Sequence, residues 1–147
     1  MIEPPPVTST TPSFTVEAKL PKKVLIVDDS GTIRQQVCVA LEGVGFDVIE
    51  AGDGIAALEM LGHHQVALAI VDVNMPRLDG LGMLEQMRAD SRLTSVPVLM
   101  LTTEVQQSMI ARARAAGARG WMVKPIQNES LIQAVRKLTA QSPPDSP

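Results

Sequence analysis

The strongest constraint in the chain is a short apolar run, Val66 to Val71, that ends on a carboxylate, Asp72. An apolar run without polar alternation reads as a strand buried on both faces, the kind found in parallel sheets. Met75-Pro76 and Asp79-Gly80 follow at once as turn signals. An ionisable residue at the tip of such a strand sits where open α/β sheets place their chemistry, outside the carboxyl ends of the strands. Asp72 is therefore read as a nucleophilic carboxylate that other acids and bases serve.

The rest of the chain keeps the same alternation. Lys23–Val27 is a strand run closed by Asp28-Asp29-Ser30, and Ile33, Val37, Ala40, Leu41 and Val44 then share one helical face. Ser30 suits the N-cap of that helix, and Gly43 and Gly45 mark its end. Asp47–Glu50 reads as a half-polar strand towards an edge, and Gly52-Asp53-Gly54 as a turn into a second helix with Ile55, Leu58 and Leu61 inward. The glycine spacing there does not fit a dinucleotide fingerprint. A third helix at about 81–88 carries Leu84 and Met87, and Pro97–Leu101 forms a further apolar strand ending in Thr102-Thr103-Glu104. The fourth helix presents Met109, Ala113 and Ala116 and stops at Gly117. Gly120–Val123 ends in Lys124-Pro125, and a last helix at about 129–140 turns Leu131, Val135 and Leu138 inward. Five βα units predict one α/β domain over 21–141, a doubly wound five-stranded parallel sheet with helices on both faces.

Composition narrows the function classes. A net charge of −3 argues against nucleic acid as the main partner. The lone Cys38 rules out an internal disulfide and fits a reducing compartment. No apolar stretch approaches the roughly 20 residues of a membrane span, and no basic segment precedes an apolar block at the start. A cytoplasmic protein with no membrane or nucleic-acid partner is expected. Residues 1–20, rich in Pro, Thr and Ser with Phe14 as the one sizeable anchor, predict a disordered tail, and 142–147 a second short one.

Four strand runs end in residues with chemical potential: Asp28/Asp29, Asp72, Thr102 and Lys124. In a parallel sheet those ends share one edge. Asp28 and Asp29 can both face the site only if their strand has already ended, as the cap at Ser30 implies. Taken singly, each has an ordinary explanation: a helix cap, a turn residue, a satisfied strand-end hydroxyl, a surface lysine. Taken together, three carboxylates repel one another, at about 4 kcal/mol for a pair about 4 Å apart at an effective dielectric of about 20. Lys124 offsets part of this, and a hard cation such as Mg²⁺, shared with a phosphoryl group, would offset more. A carboxylate nucleophile beside Mg²⁺, a lysine and a hydroxyl is a phosphoryl-transfer site.

At this point the chain resembles the receiver domains of two-component response regulators, and among them the stand-alone, CheY-like chemotaxis type. The resemblance covers about residues 22–140 and rests on Val27-Asp28-Asp29-Ser30, Asp72–Gly80, Leu101–Glu104, Ala116-Gly117-Ala118 and Lys124-Pro125. It implies the flavodoxin-like sheet order 2-1-3-4-5 that CheY itself has, and Asp72 as acceptor of a phosphoryl group from a sensor histidine kinase, CheA-like. It implies Mg²⁺ held by Asp29, Asp72 and the backbone carbonyl of Asn74, with Asp28 assisting. Thr102 and Lys124 would contact the phosphoryl oxygens, with Lys124-Pro125 a cis peptide. Asn74 and Glu104 would tune the lifetime of the acyl phosphate, towards fast self-dephosphorylation.

Thr102 would couple to Trp121, a position where Tyr or Phe is more usual. The output partner would dock on the fourth helix, fifth strand and fifth helix, with the flagellar motor switch as one candidate. Arg112, Arg114 and Arg119 make residues 105–123 basic without an acid, which suits either a solvated face or an acidic partner. A monomeric switch is expected, not an enzyme beyond self-catalysed phosphoryl transfer and autodephosphorylation. A phosphorelay shuttle or phosphate sink is the alternative. An aspartyl-nucleophile phosphatase is disfavoured, because the general acid it needs two residues after the nucleophile is here Asn74. His63-His64 read as a solvated helix end, Cys38 as a packing residue and the methionines as core filler.

Overall fold

The computed structural model describes residues 21–140. The tails read at 1–20 and 142–147 fall outside the described residues. Elements alternate throughout: β1 (Lys23–Val27), α1 (Gly31–Glu42), β2 (Asp47–Ala51), α2 (Gly54–His63), β3 (Leu68–Asp72), α3 (Gly80–Ala89), β4 (Val98–Thr102), α4 (Gln107–Ala115), β5 (Gly120–Val123) and α5 (Asn128–Ala140). All strand pairs are parallel, in the order β2-β1-β3-β4-β5. The doubly wound sheet expected from the sequence is present.

Two cores follow from strand alternation. Successive strand residues point to opposite faces, so Leu25, Val27, Ala69, Val71, Val98 and Met100 pack on one side against α2, α3 and α4. Val24, Ile26, Leu68, Ile70, Leu99 and Leu101 pack on the other against Val37 and Leu41 of α1 and Leu131 and Val135 of α5. The central strands are buried along their whole length, while the β2 edge is half exposed. No helix among the described residues is long and apolar enough to cross a membrane.

Three helices begin on side-chain caps that accept the amide three residues on: Ser30 from Ile33, Asp53 from Ala56, Asp79 from Gly82. α4 begins at Gln106 without one. β3 starts at Leu68 rather than Val66, because its neighbour β1 begins pairing only at Val24. Ile55 is exposed, contrary to the inward face read for α2. Gly54 seats against the Leu78 backbone, which rotates Gly54, Ala57 and Leu61 to the core instead. His64 is half-buried rather than solvated, with Nδ1 3.2 Å from Lys23 Nζ.

Gly80 is fixed by close approach. A Cβ there would lie 2.1 Å from the carbonyl oxygen of Asp72, whereas one at Gly62 on the exposed side of α2 would meet nothing within 4 Å. Gly80→Ala is expected to destabilise by about 3 kcal/mol or more, since strand or helix must shift. Gly62→Ala is expected to stabilise by about 0.5–1 kcal/mol. Urea denaturation of both variants checks the opposite signs; equal midpoints would contradict the packing described.

Candidate functional site

β1 stops at Val27, and the chain turns on Asp28. The Asp28 amide donates to the Ala51 carbonyl at 3.1 Å, while its Oδ1 accepts the Ser30 amide at 2.9 Å. This side-chain turn ends the strand, so Asp28 is fully buried while Asp29 beside it is exposed. β3 ends on Asp72, which is 4% exposed. The Val73 amide bonds to Leu101 O at 2.8 Å, and Gly80 N to Val73 O at 3.0 Å, locking the loop after Asp72 against the sheet. Asn74 N donates to Asp72 Oδ1 at 3.3 Å.

Lys124 arrives from the end of β5, its amide donating to Thr102 O at 2.7 Å, and the Lys124-Pro125 peptide is cis. Its Nζ lies 2.8 Å from Asp28 Oδ2 and 3.4 Å from Asp72 Oδ2. Beyond this short ion pair with Lys124, Asp28 Oδ2 has no hydrogen-bond partner among the described residues. One oxygen from each of Asp28, Asp29 and Asp72 lies within 4.8 Å of the others. That is a set of hard oxygen donors with spare lone pairs, and it fits a hard divalent cation.

Burial raises the Asp72 pKa above its ordinary value of 3.8, and the charge of Asp28 pushes the same way. Lys124 and the Asn74 amide pull against them. Burial also works against the charge on Lys124, yet its contacts with Asp28 and then Asp72 win and raise its pKa. The lysine is charged throughout the neutral range.

The structure brings Asp28, Asp29, Asp72 and Lys124 into one cluster. Thr102 is fully buried at the end of β4, but its hydroxyl is turned to the next loop. It donates to Glu104 O at 2.7 Å and accepts from Glu104 N at 3.2 Å. Trp121 is half-buried on β5, packed against the core, and its indole Nε1 is buried with no hydrogen-bond partner among the described residues. Asn74 and Glu104 are exposed beside the cluster. Of the basic residues on α4, Arg112 is not free: it grips both oxygens of Glu85 on α3 at 2.8 Å.

Two arginines near the site had no signal in the sequence. Arg34 on α1 reaches the Asp28 carbonyl. Arg77, at φ 66, places its guanidinium on Asp53 Oδ2 and ties the loop after Asp72 to the cap of α2. The Ala56 amide and then Arg77 hold the Asp53 carboxyl below its ordinary range. Neither arginine lies on an apolar stripe, and although Arg77 falls within the Asp72–Gly80 stretch, nothing there says where its guanidinium lands, so periodicity cannot find them.

A family model described as the response regulator receiver domain matches residues 24–136. The chain belongs to this family. The receiver is 39% identical over 117 residues to the chemotaxis protein CheY of Pseudomonas aeruginosa, covering 79% of this chain and 94% of that protein. It is 37% identical over 127 residues to the transcriptional regulatory protein PdtaR of Mycobacterium tuberculosis, 86% of this chain and 60% of that one. Among solved structures, chemotaxis protein CheY4 of Vibrio cholerae superposes with a TM-score of 0.77 at 38% identity, covering 80% of this chain and 98% of that one. The receiver is CheY-like in sequence and fold.

Removing Lys124 leaves the fully buried Asp28 without a countercharge. Lys124→Met is expected to cost about 3 kcal/mol in metal-free buffer at pH 7, read by urea denaturation. An unchanged midpoint would show that the pair holds nothing together. Asp72 behaves in the opposite sense. Its folded-state pKa is raised, so its favourable contribution is present at acid pH and is lost as pH rises through the raised value. Metal-free Asp72→Asn should therefore exceed wild type in stability at neutral pH, with the gap closing as pH falls towards 3.8. A gap that widens on acidification would contradict the shift.

Proposed function

We propose that this receiver accepts a phosphoryl group on Asp72 from a sensor histidine kinase, with Mg²⁺ in the carboxylate cluster, and switches a protein-binding surface. The observation that carries this reading is the placement of Asp72 Oδ2, 3.4 Å from Lys124 Nζ and inside a cluster of three carboxylates. Asp29, Asp72 and the Asn74 carbonyl would hold the cation, with Asp28 assisting. When bound, Mg²⁺ would neutralise charge on the transferring group and on the cluster.

The remaining chemistry belongs to the chain. An Asp72 oxygen attacks phosphorus, the new P–O bond forms as the P–N bond to the kinase histidine breaks, and the histidine nitrogen leaves with the electron pair. Lys124 holds a positive charge where the equatorial oxygens would come to lie. Thr102 would exchange its Glu104 bond for a phosphoryl oxygen, and this would reset the loop leading to α4. Asn74 and Glu104, flanking the cluster, would set how readily water reaches the acyl phosphate. Asn74 also lacks the proton-transfer capacity that turnover of external phosphate esters needs, which favours a switch over an enzyme.

Chemotaxis is the favoured pathway on the likeness to CheY, with a CheA-like kinase and a target such as the flagellar motor switch, met as a monomer in the cytoplasm. The output face would be α4, β5 and α5. Arg114 on α4 is exposed there and suits an acidic partner, whereas Arg112 is already committed to Glu85. The likeness to a transcriptional regulatory protein supports a second reading, a shuttle or phosphate sink in another two-component pathway.

Incubation with acetyl phosphate and Mg²⁺ should add the mass of one phosphoryl group to the intact protein. Asp72→Ala and chelation with EDTA should each abolish the gain, and the label should be lost well within hours. A wild-type protein that gains no mass, or an Asp72→Ala protein that still does, would sink the proposal.

A further inference from the structure

The carboxylate cluster is held from outside as well as from within. Arg34 on α1 donates from Nη1 to the carbonyl oxygen of Asp28 at 2.7 Å, and from Nε to Glu50 Oε1 on β2 at 3.0 Å. As a partly exposed ion pair, Arg34–Glu50 contributes little to stability. Its position matters more than its strength. The Asp28 side chain is already fixed by Ser30 N at Oδ1 and by Lys124 at Oδ2. Asp29 is exposed, and among the described residues its carboxylate makes no hydrogen bond or ion pair. What orients Asp29 is its backbone, and the carbonyl of Asp28 belongs to the peptide that joins the two.

Resting on the Mg²⁺ reading above, we propose that Arg34 is a positioning residue for the divalent cation. Its bond to the Asp28 carbonyl fixes the 28–29 peptide plane and so aims the otherwise unheld Asp29 carboxylate into the cluster. Glu50 anchors the guanidinium and cancels its charge beside a cation site. Cys38 lies one turn along α1 from Arg34. Burial first, then the charge of Glu50, pushes that thiol up to about 11, so it adds no charge beside Glu50. Groups that orient metal ligands without touching the ion commonly matter to affinity by tenfold or more.

Charge and geometry predict opposite signs here, which makes the proposal testable. Arg34→Met removes a cation from the neighbourhood of a cation site, so electrostatics alone predicts tighter Mg²⁺ binding. Positioning predicts weaker binding, by about tenfold. Isothermal titration with Mg²⁺ at pH 7 would compare wild type, Asp29→Asn, Arg34→Met, Arg34→Lys and Glu50→Gln, with urea denaturation in EDTA as the check on folding. Arg34→Lys should fall between wild type and Arg34→Met, because the ammonium reaches the carbonyl but loses the fork that also holds Glu50. Glu50→Gln should weaken binding by a few fold, since the amide still accepts from Arg34 but leaves its charge uncancelled. Wild-type or tighter affinity in Arg34→Met overturns the proposal. Should that variant fail to fold, wild-type affinity in both Arg34→Lys and Glu50→Gln overturns it. Wild-type protein with no Mg²⁺ binding that Asp29→Asn removes would instead overturn the cluster reading, and this inference with it.

Discussion

Asp28 has no exposed surface, and a buried ionised carboxylate persists only where an opposite charge meets it. Lys124 supplies that charge at 2.8 Å. The two residues come from β1 and β5, with β3 and β4 between them in the sheet. The pair therefore closes across the carboxyl edge of the sheet and sets where everything else can lie. Asp72, on β3, falls under the same ammonium at a looser 3.4 Å. A lysine held firmly by one carboxylate and loosely by another is fixed in place yet has capacity left for a further anion near Asp72.

The charge balance of the cluster shows why the pair alone is not enough. With three carboxylates ionised and one lysine, two negative charges stay uncompensated, and burial already pushes Asp72 away from ionisation. A nucleophile must be ionised to attack. The fold thus creates a demand for positive charge at the point where the proposed chemistry needs a carboxylate anion. A divalent cation answers both. The close seating of α3 is part of the same arrangement, since Gly80 lets that helix start against the Asp72 carbonyl and fixes the strand end on which the proposed nucleophile sits.

The alternation of strand and helix was plain in the sequence because continuous apolar runs and helical stripes both report burial, and a doubly wound sheet buries its central strands on two faces. The cluster was equally legible, since each of its members directly follows or ends a strand run. What the sequence did not disclose depends on rotation and reach. The inward face of α2 was misread at Ile55, because Gly54 rather than a large side chain sets how that helix seats on the loop at Leu78. Arg34 and Arg77 act through long polar side chains that cross between elements, and nothing in one-dimensional spacing records where a guanidinium lands. The pairing of Arg112 with Glu85, 27 residues away, was hidden for the same reason. Basic runs read as surfaces until their partners are seen.

The proposed switch can be weighed with the same magnitudes. Thr102 spends its hydroxyl on Glu104, a neutral bond to a backbone carbonyl. Exchange for a charged phosphoryl oxygen would gain the margin of a charge-assisted over a neutral bond, about 1–2 kcal/mol. Moving a two-state surface from 1:99 to 99:1 needs about 5.5 kcal/mol. Thr102 alone therefore falls short. The buried Trp121 Nε1, without a hydrogen-bond partner among the described residues, would be a second source, since an unmet donor costs about 1–3 kcal/mol that any state satisfying it recovers. α4 is entered without a side-chain cap and follows directly from the loop that Thr102 holds. Under the proposed switch, a tryptophan in place of the usual Tyr or Phe would be more than a bulkier packing residue. An indole left unsatisfied in the resting state would lower the work that phosphorylation of Asp72 has to do.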